Sequence, residues 1–405
     1  MNTTKTKRPT LAFVLFLAAG FALYFLMQSI QPLLPHILFD YETWDAGRTD
    51  SAFWRLLWLI GDGTEPHFHK TILGGLGLIG GSWLAYYLDR KQSKLRGTPV
   101  GYGSGTLWPW VFAASLLSLA IAVAVFGGLH VDGDTYVSTY VCYVSIAGAV
   151  IFLYGGSIPT LLTGAILGAF TSVPISIWMR NCVCLPNGFP GVLATVTGMW
   201  LGGIATFEIC RHMPWMQAAK ARNTQAIPSQ PISGEMSIEE YKHKHPVGFL
   251  FRRILCDVSE PVFVANEWAG GLLLVGSMLT WILNPLQPYY GNGFFPALIL
   301  CQVLTAGFSM WFYWDSWMEN DFVPTFVPLV STAPACILQF GATMPVIIIS
   351  SLIGALMGPA LATWINEKIP EHWHVMIGLT FSMFLTSGIA VVMIRYLGMC
   401  IPGIY

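Results

Sequence analysis

Apolar positions in this chain run in blocks rather than stripes. Predominantly apolar stretches long enough to span a hydrocarbon core of about 30 Å fall near 10–30, 70–88, 107–129, 136–154, 157–178 and 189–209. Five more follow near 268–285, 294–314, 322–340, 344–365 and 375–396. The pattern predicts an all-α polytopic membrane protein with eleven transmembrane helices, joined by short segments except at 31–69 and 210–267. The first block, Leu11–Met27, follows Lys5, Lys7 and Arg8 and continues past the small residues Ala18-Ala19-Gly20. It therefore reads as an uncleaved first helix rather than a secretory signal.

The blocks repeat. Sliding Tyr136–Trp178 onto Phe322–Trp364 without a gap makes 13 of the 43 aligned pairs identical, among them Thr139/Thr325, Ser145/Ser331, Gly155/Gly341, Pro159/Pro345 and Gly168/Gly354. The likeness extends outward. Glu65-Pro66-His67-Phe68 precedes Gly74-Gly75-Leu76 as Glu260-Pro261-Val262-Phe263 precedes Gly270-Gly271-Leu272, and Gly203-Ile204-Ala205 answers Gly388-Ile389-Ala390. The expected organisation is an N-terminal helix and external loop over 1–52, repeat one over 53–212, a polar linker over 213–250 with Pro228, Pro231 and Gly234, and repeat two over 251–405. Five spans per repeat is an odd number, so the copies are expected upside down relative to each other, about an axis in the membrane plane.

Charge orients the chain. Fifteen of the 20 Lys and Arg, including Arg90, Lys91, Lys94, Arg96 and the basic residues of 211–253, fall on segments that eleven spans place on one side. The positive-inside bias makes that side cytoplasmic and puts the N-terminus there, with an inner-membrane location expected. The other side receives Asp40, Glu42, Asp45, Asp50, Asp62 and Glu65. Only 10% of residues are charged against 54% hydrophobic, with mean hydropathy +0.60, which excludes an ordinary soluble domain. A net charge of −1 argues against nucleic acid as a partner. The eight Cys are scattered and imply no disulfide framework.

Candidate chemistry concentrates where the copies agree. Gly155-Gly156-Ser157-Ile158-Pro159 and Gly341-Ala342-Thr343-Met344-Pro345 share glycine, hydroxyl and proline, the signature of a helix end followed by a capped helix start. The simplest reading is a tight turn between two full spans at the membrane surface. The sharper one is a pair of re-entrant hairpins whose tips meet at the midplane and offer helix N-termini to substrate. Thr139, Thr325, Ser145 and Ser331 are candidate site lining. The retained Glu65 and Glu260 are candidates for ion coupling, with helix capping the simpler role. Acidic links carry Asp132 and Asp134 before one copy, and Asp315, Glu319 and Asp321 before the other. His67-x-His69, Cys182-x-Cys184 and His372-x-His374 lack a four-ligand pattern, so no metal is expected, and no motif for ATP binding or hydrolase chemistry is present.

These features together suggest a secondary transporter or permease moving a small solute by alternating access, coupled to Na⁺ or H⁺, with no cofactor and no catalytic residues. The bilayer and a small-molecule substrate are the expected partners, and a homodimer is compatible with them. Two other classes stay open: an integral membrane enzyme using the His and Glu side chains of 65–69, and a non-transporting membrane subunit.

Overall fold

The computed structural model describes residues 8–101, 104–129, 137–223 and 236–405. Lys5, Lys7, Asp132, Asp134, Tyr136, Pro228, Pro231 and Gly234 lie outside them. Every regular element among the described residues is helical. In chain order the helices are α1 (Thr10–Ile30), α2 (Tyr41–Gly47), α3 (Ala52–Asp62), α4 (Ile72–Arg90), α5 (Trp108–Phe126) and α6 (Ile146–Tyr154). Then come α7 (Ile158–Met179), α8 (Gly191–His212), α9 (Pro214–Asn223), α10 (Ile238–Lys244), α11 (Pro246–Ser259) and α12 (Glu267–Leu283). The last five are α13 (Phe295–Phe312), α14 (Trp314–Glu319), α15 (Thr332–Phe340), α16 (Met344–Asn366) and α17 (Met376–Cys400).

Seven of these, α1, α5, α7, α8, α13, α16 and α17, are long and apolar enough to cross a membrane, and an eighth is reached if α11 and α12, bent by 82°, count as one broken span. The chain is thus a multi-pass α-helical membrane protein. The expected spans at 136–154 and 322–340 are not continuous helices. Each is a 3₁₀ turn (Thr139–Cys142, Val327–Val330) followed by a nine-residue helix, α6 or α15. The break falls on the retained serines, Ser145 (φ −136°, ψ −93°) and Ser331 (φ −142°, ψ −75°), whose backbone leaves the helical region. Each serine hydroxyl donates back to a carbonyl four residues earlier, of Val141 or Val327.

Burial is inverted relative to a water-soluble protein. Ile158, Leu162, Ile166 and Phe170 form an exposed stripe at i, i+4 spacing along α7, while Thr160, Ser172 and Ser176 of the same helix are buried. This suits a helix with lipid on one face and packed neighbours on the other, where small and hydroxyl residues let helices approach.

The most extensive helix–helix contact joins α4 and α12, and its contacts are reciprocal. A Cβ on Gly81 would lie 2.6 Å from the Trp268 carbonyl oxygen, and one on Gly276 would clash with the Leu73 carbonyl. Residues 81 and 276, and 73 and 268, are each 195 apart. Gly77 meets Leu272, its own counterpart at that offset. At the same offset, Gly75 lies on the Ile60 carbonyl of α3 and Gly270 on the Leu255 carbonyl of α11.

Side-chain ties show which loops share an end of the bundle. At one end Arg8 pairs with Asp315, Lys242 donates to the Asn320 carbonyl, Asn266 to the carbonyls of Arg96 and Thr98, and Glu208 receives His372 and Trp373. At the other, Arg48 donates to the Gly127 carbonyl, Asn284 to the Leu38 carbonyl, and Arg395 to the Gly188 carbonyl.

Candidate functional site

The two copies share a stretch that reads Asp-x-Thr/Ser-Glu-Pro-x-Phe, at Asp62–Phe68 and Asp257–Phe263. In each, an amphipathic helix (α3 or α11) ends near the aspartate and a 3₁₀ turn carries the Glu-Pro pair. The chain then reverses through a phenylalanine in the left-handed region, Phe68 at φ 63° and Phe263 at φ 62°. A hydroxyl closes each loop. Thr64 Oγ1 accepts from the Thr71 amide at 2.9 Å, and Ser259 Oγ accepts from the Asn266 amide at 2.9 Å. These turns are held by hydrogen bonds inside the fold, because no water is available to satisfy buried backbone groups.

Each turn buries two carboxylates that share one cation, and a threonine donates to the aspartate. In the first copy Lys70, wholly buried, pairs with Asp62 and with Glu65 at 2.7 Å. Thr139 donates to Asp62 Oδ2 at 2.5 Å, and Tyr290 donates to Glu65 Oε1 at 2.7 Å. In the second copy Arg253 donates twice to Asp257 Oδ1, at 2.9 and 2.6 Å, and pairs with Glu260. Thr325 donates to Asp257 Oδ2 at 2.8 Å. The cation comes from different places. Arg253 sits 195 residues after Trp58, and Ala265 sits 195 after Lys70. An indole covers each cation: Trp58, centred 3.6 Å from Lys70 Nζ, and Trp317, centred 4.9 Å from the Arg253 guanidinium carbon. Both clusters thus reach the same composition by different substitutions.

Three cavities are linked by shared lining residues. The central one, of about 290 Å³, is lined by pairs at repeat offsets: Pro66 with Pro261, Tyr140 with Phe326, Val144 with Val330, and Thr195 with Thr380. Glu260, His374, Phe152, Phe263 and Phe322 also line it. An outer cavity of about 430 Å³, beside Tyr41, Arg180 and Pro190, shares Tyr140, Val192 and Thr195 with the central one. A third, of about 360 Å³, lies beside Thr98, Lys242 and Asn320 at the linker end, and shares Phe322 with the central one.

The residues expected from the sequence separate into distinct roles. Thr139 and Thr325 hold the carboxylates, and Ser145 and Ser331 break the helices. None of these four lines any of the three cavities. Gly155 and Gly341, at φ 86° and 90°, end α6 and α15 in a conformation that favours glycine. Ser157 caps α7 with a reciprocal bond to Thr160, Thr343 caps α16, and Pro159 and Pro345 sit in the first turns. The two tips do not meet. The 155–159 turn lies at the linker end, where Trp215 donates to Thr163, and the 341–345 turn lies at the opposite end, where Thr343 donates to the Ile404 carbonyl. Each turn is a helix end followed by a capped helix start, and the two lie at opposite ends of the bundle.

Glu65 and Glu260 sit in the ion clusters. His69 bridges Ser277 (2.8 Å) on α12 and Gln302 (2.9 Å) on α13, and Gln302 in turn donates to the His67 carbonyl. Among the described residues no group of three or more His, Cys, Asp or Glu side chains is placed to hold a metal. Asp62, Lys70, Arg253 and Asp257 complete the two ion clusters, and the sequence alone singled out none of them as a site. The chain matches no family model, no curated protein and no solved structure.

Proposed function

We propose that the chain is a secondary transporter that moves a small solute by alternating access between two inverted repeats, 53–212 and 251–405. In this reading the chain crosses the bilayer eleven times. The seven long helices are joined by α4, α12 and the broken pairs ending in α6 and α15, and the N-terminus is cytoplasmic. The observation that carries the proposal is the central cavity. Matched residues of both copies line it, and separate cavities adjoin it towards each end of the bundle. Inverted-repeat transporters bind substrate at such a position, near the midplane at the repeat interface.

The reciprocal α4/α12 crossing supports the inversion, because contacts in which residue i meets j while j's counterpart meets i's are those of a two-fold axis. A residue that meets its own counterpart, as Gly77 does, belongs on that axis. The antiparallel run of α8 against α17 has the same consequence. Glu208 near the end of α8 meets His372 just before α17, and Gly188 just before α8 meets Arg395 near the end of α17. Ion coupling is assigned to the two carboxylate clusters, where a Na⁺ or a proton would balance charge that one cation cannot. The His67 and His69 side chains bond to neighbouring segments and read as structural.

The test is uptake of a solute panel into vesicles with and without the protein, under imposed Na⁺ or pH gradients. Protein-dependent accumulation that collapses with one gradient is expected. Uptake that never exceeds the protein-free control across the panel contradicts the proposal.

A further inference from the structure

The lining of the central cavity is mostly apolar and aromatic. Aromatic side chains from both copies line it: Tyr140, Phe152, Phe263, Phe322 and Phe326. Aromatic faces carry the negative end of the ring quadrupole and attract cations that have shed their water. Met199, Met376 and Met383 add polarisable thioethers. The threonine hydroxyls are spent as donors. Thr195 Oγ1 donates to the Val192 carbonyl at 2.9 Å and Thr380 Oγ1 to the Met376 carbonyl at 2.8 Å, each within its own helix. A hydroxyl has one proton and two lone pairs, so each threonine keeps only acceptor capacity for a guest.

Glu260 is the sole Asp or Glu among the described lining residues, and no Lys or Arg is among them. Behind Glu260, Arg253 is shared with Asp257, so the cluster at this wall holds two carboxylates against one guanidinium. The lining also holds a histidine, His374, between α16 and α17. It stacks on Phe152 (5.9 Å) and packs edge-on to Phe263 (6.2 Å). Burial pushes its imidazole down to about 4, so at neutral pH it is an uncharged ring whose Nδ1 accepts from the Met376 amide and whose Nε2 carries the proton. The outer cavity holds one charge of each sign, Asp45 and Arg180.

From this lining we infer that the transported solute is a small organic cation with an apolar body, a substituted ammonium rather than an anion, a sugar or a neutral hydrocarbon. This rests on the transport reading for its name of substrate, and on the cavity alone for its chemistry. A sugar needs many paired donors and acceptors, and this wall offers few polar groups. An anion would meet an acidic residue, Glu260, and the acceptor lone pairs of the threonines, with no Lys or Arg among the described lining residues. The cavity, about 290 Å³, stands at the small end of ligand sites, which run from roughly 300 to 1,000 Å³.

The test uses the full chain in nanodiscs, titrated calorimetrically with phenyltrimethylammonium, choline, 3,3-dimethylbutan-1-ol (the uncharged isostere of choline) and benzenesulfonate, with empty nanodiscs as blank. Phenyltrimethylammonium is expected to bind best, choline at least about tenfold better than its isostere, and benzenesulfonate not at all. Phe326→Leu removes one ring without touching an ion pair, and should weaken phenyltrimethylammonium about three- to tenfold with no change for the alcohol. Equal binding of choline and its isostere, preference for the sulfonate, or no binding by any of the four overturns the inference. Cation binding without flux in vesicles would count against transport while leaving the cavity chemistry standing. Flux of a neutral or anionic solute through the same cavity would do the reverse.

Discussion

The two ion clusters make an exchange experiment possible. Lys70→Ala leaves Asp62 and Glu65 buried without their cation, and breaking a buried pair in this way costs about 3–5 kcal/mol. Trp58→Arg alone adds a second cation to that cluster and removes a buried indole, whose loss costs a similar ~3–5 kcal/mol. The double variant, Trp58→Arg with Lys70→Ala, recreates the arrangement of the second copy, where Arg253 and Ala265 stand at those positions. Arg at 58 would lie one helical turn before Asp62, as Arg253 lies one turn before Asp257. Independent effects would sum to about 6–10 kcal/mol. The shared geometry predicts a favourable coupling of about 2–3 kcal/mol, at the upper end of what contacting residues show, so that the double variant loses about 4–7 kcal/mol rather than the full sum. Unfolding in mixed micelles, followed by tryptophan fluorescence, measures all three variants and the parent. A double variant that loses the full sum would refute the claim that the two turns are equivalent positions of one duplicated site.

Other substitutions probe neighbouring parts of the account. Thr139→Val and Thr325→Val each remove one hydrogen bond to a buried carboxylate. Each should destabilise by about 1.5–3 kcal/mol, and values differing by more than about 2 kcal/mol between the copies would argue against equivalent roles. Gly77→Ala and Gly276→Ala place a Cβ against backbone across the α4/α12 crossing, and should each cost about 1–3 kcal/mol in the same unfolding assay. Gly80→Ala and Gly271→Ala meet nothing within 4 Å and should be neutral, or stabilising by up to about 1 kcal/mol. Ser157→Ala and Thr343→Ala should lower stability by about 0.5–2 kcal/mol through loss of a cap while leaving uptake intact, and a selective loss of uptake would return these turns to the binding site.

Much of this architecture is legible in the chain. Block hydropathy locates the long helices, because a lipid-facing helix must be apolar over its whole length. The duplicated block anticipates that Thr139 and Thr325, or Ser145 and Ser331, share a local setting. What the blocks hide is discontinuity. Hydropathy cannot register that Ser145 and Ser331 step out of helical geometry, since the flanking residues stay apolar. The Asp-x-Thr/Ser-Glu-Pro-x-Phe turn is visible at an offset of 195, yet Asp62 reads in isolation as one more acid in an outer loop. Lys70 and Arg253 escape alignment altogether because they occupy non-equivalent positions and converge only in space. The aromatic cavity has no linear signature, since its walls come from segments spread between Pro66 and Met383.

Access to the central cavity from both faces of the membrane is the most direct test of alternating access. Thr195→Cys and Thr380→Cys place a thiol on the cavity wall from each copy. Sealed vesicles of known orientation would be treated from one side or the other with a membrane-impermeant thiol reagent. Modification at residues 195 and 380 would be read by peptide mass spectrometry, so that the exposed native Cys182 and Cys400 do not obscure it. Both positions are expected to react from both sides, with rates from the two sides shifting in opposite directions when solute or a coupling-ion gradient is applied. Reaction from one side alone, unchanged by any solute or gradient, would contradict the account.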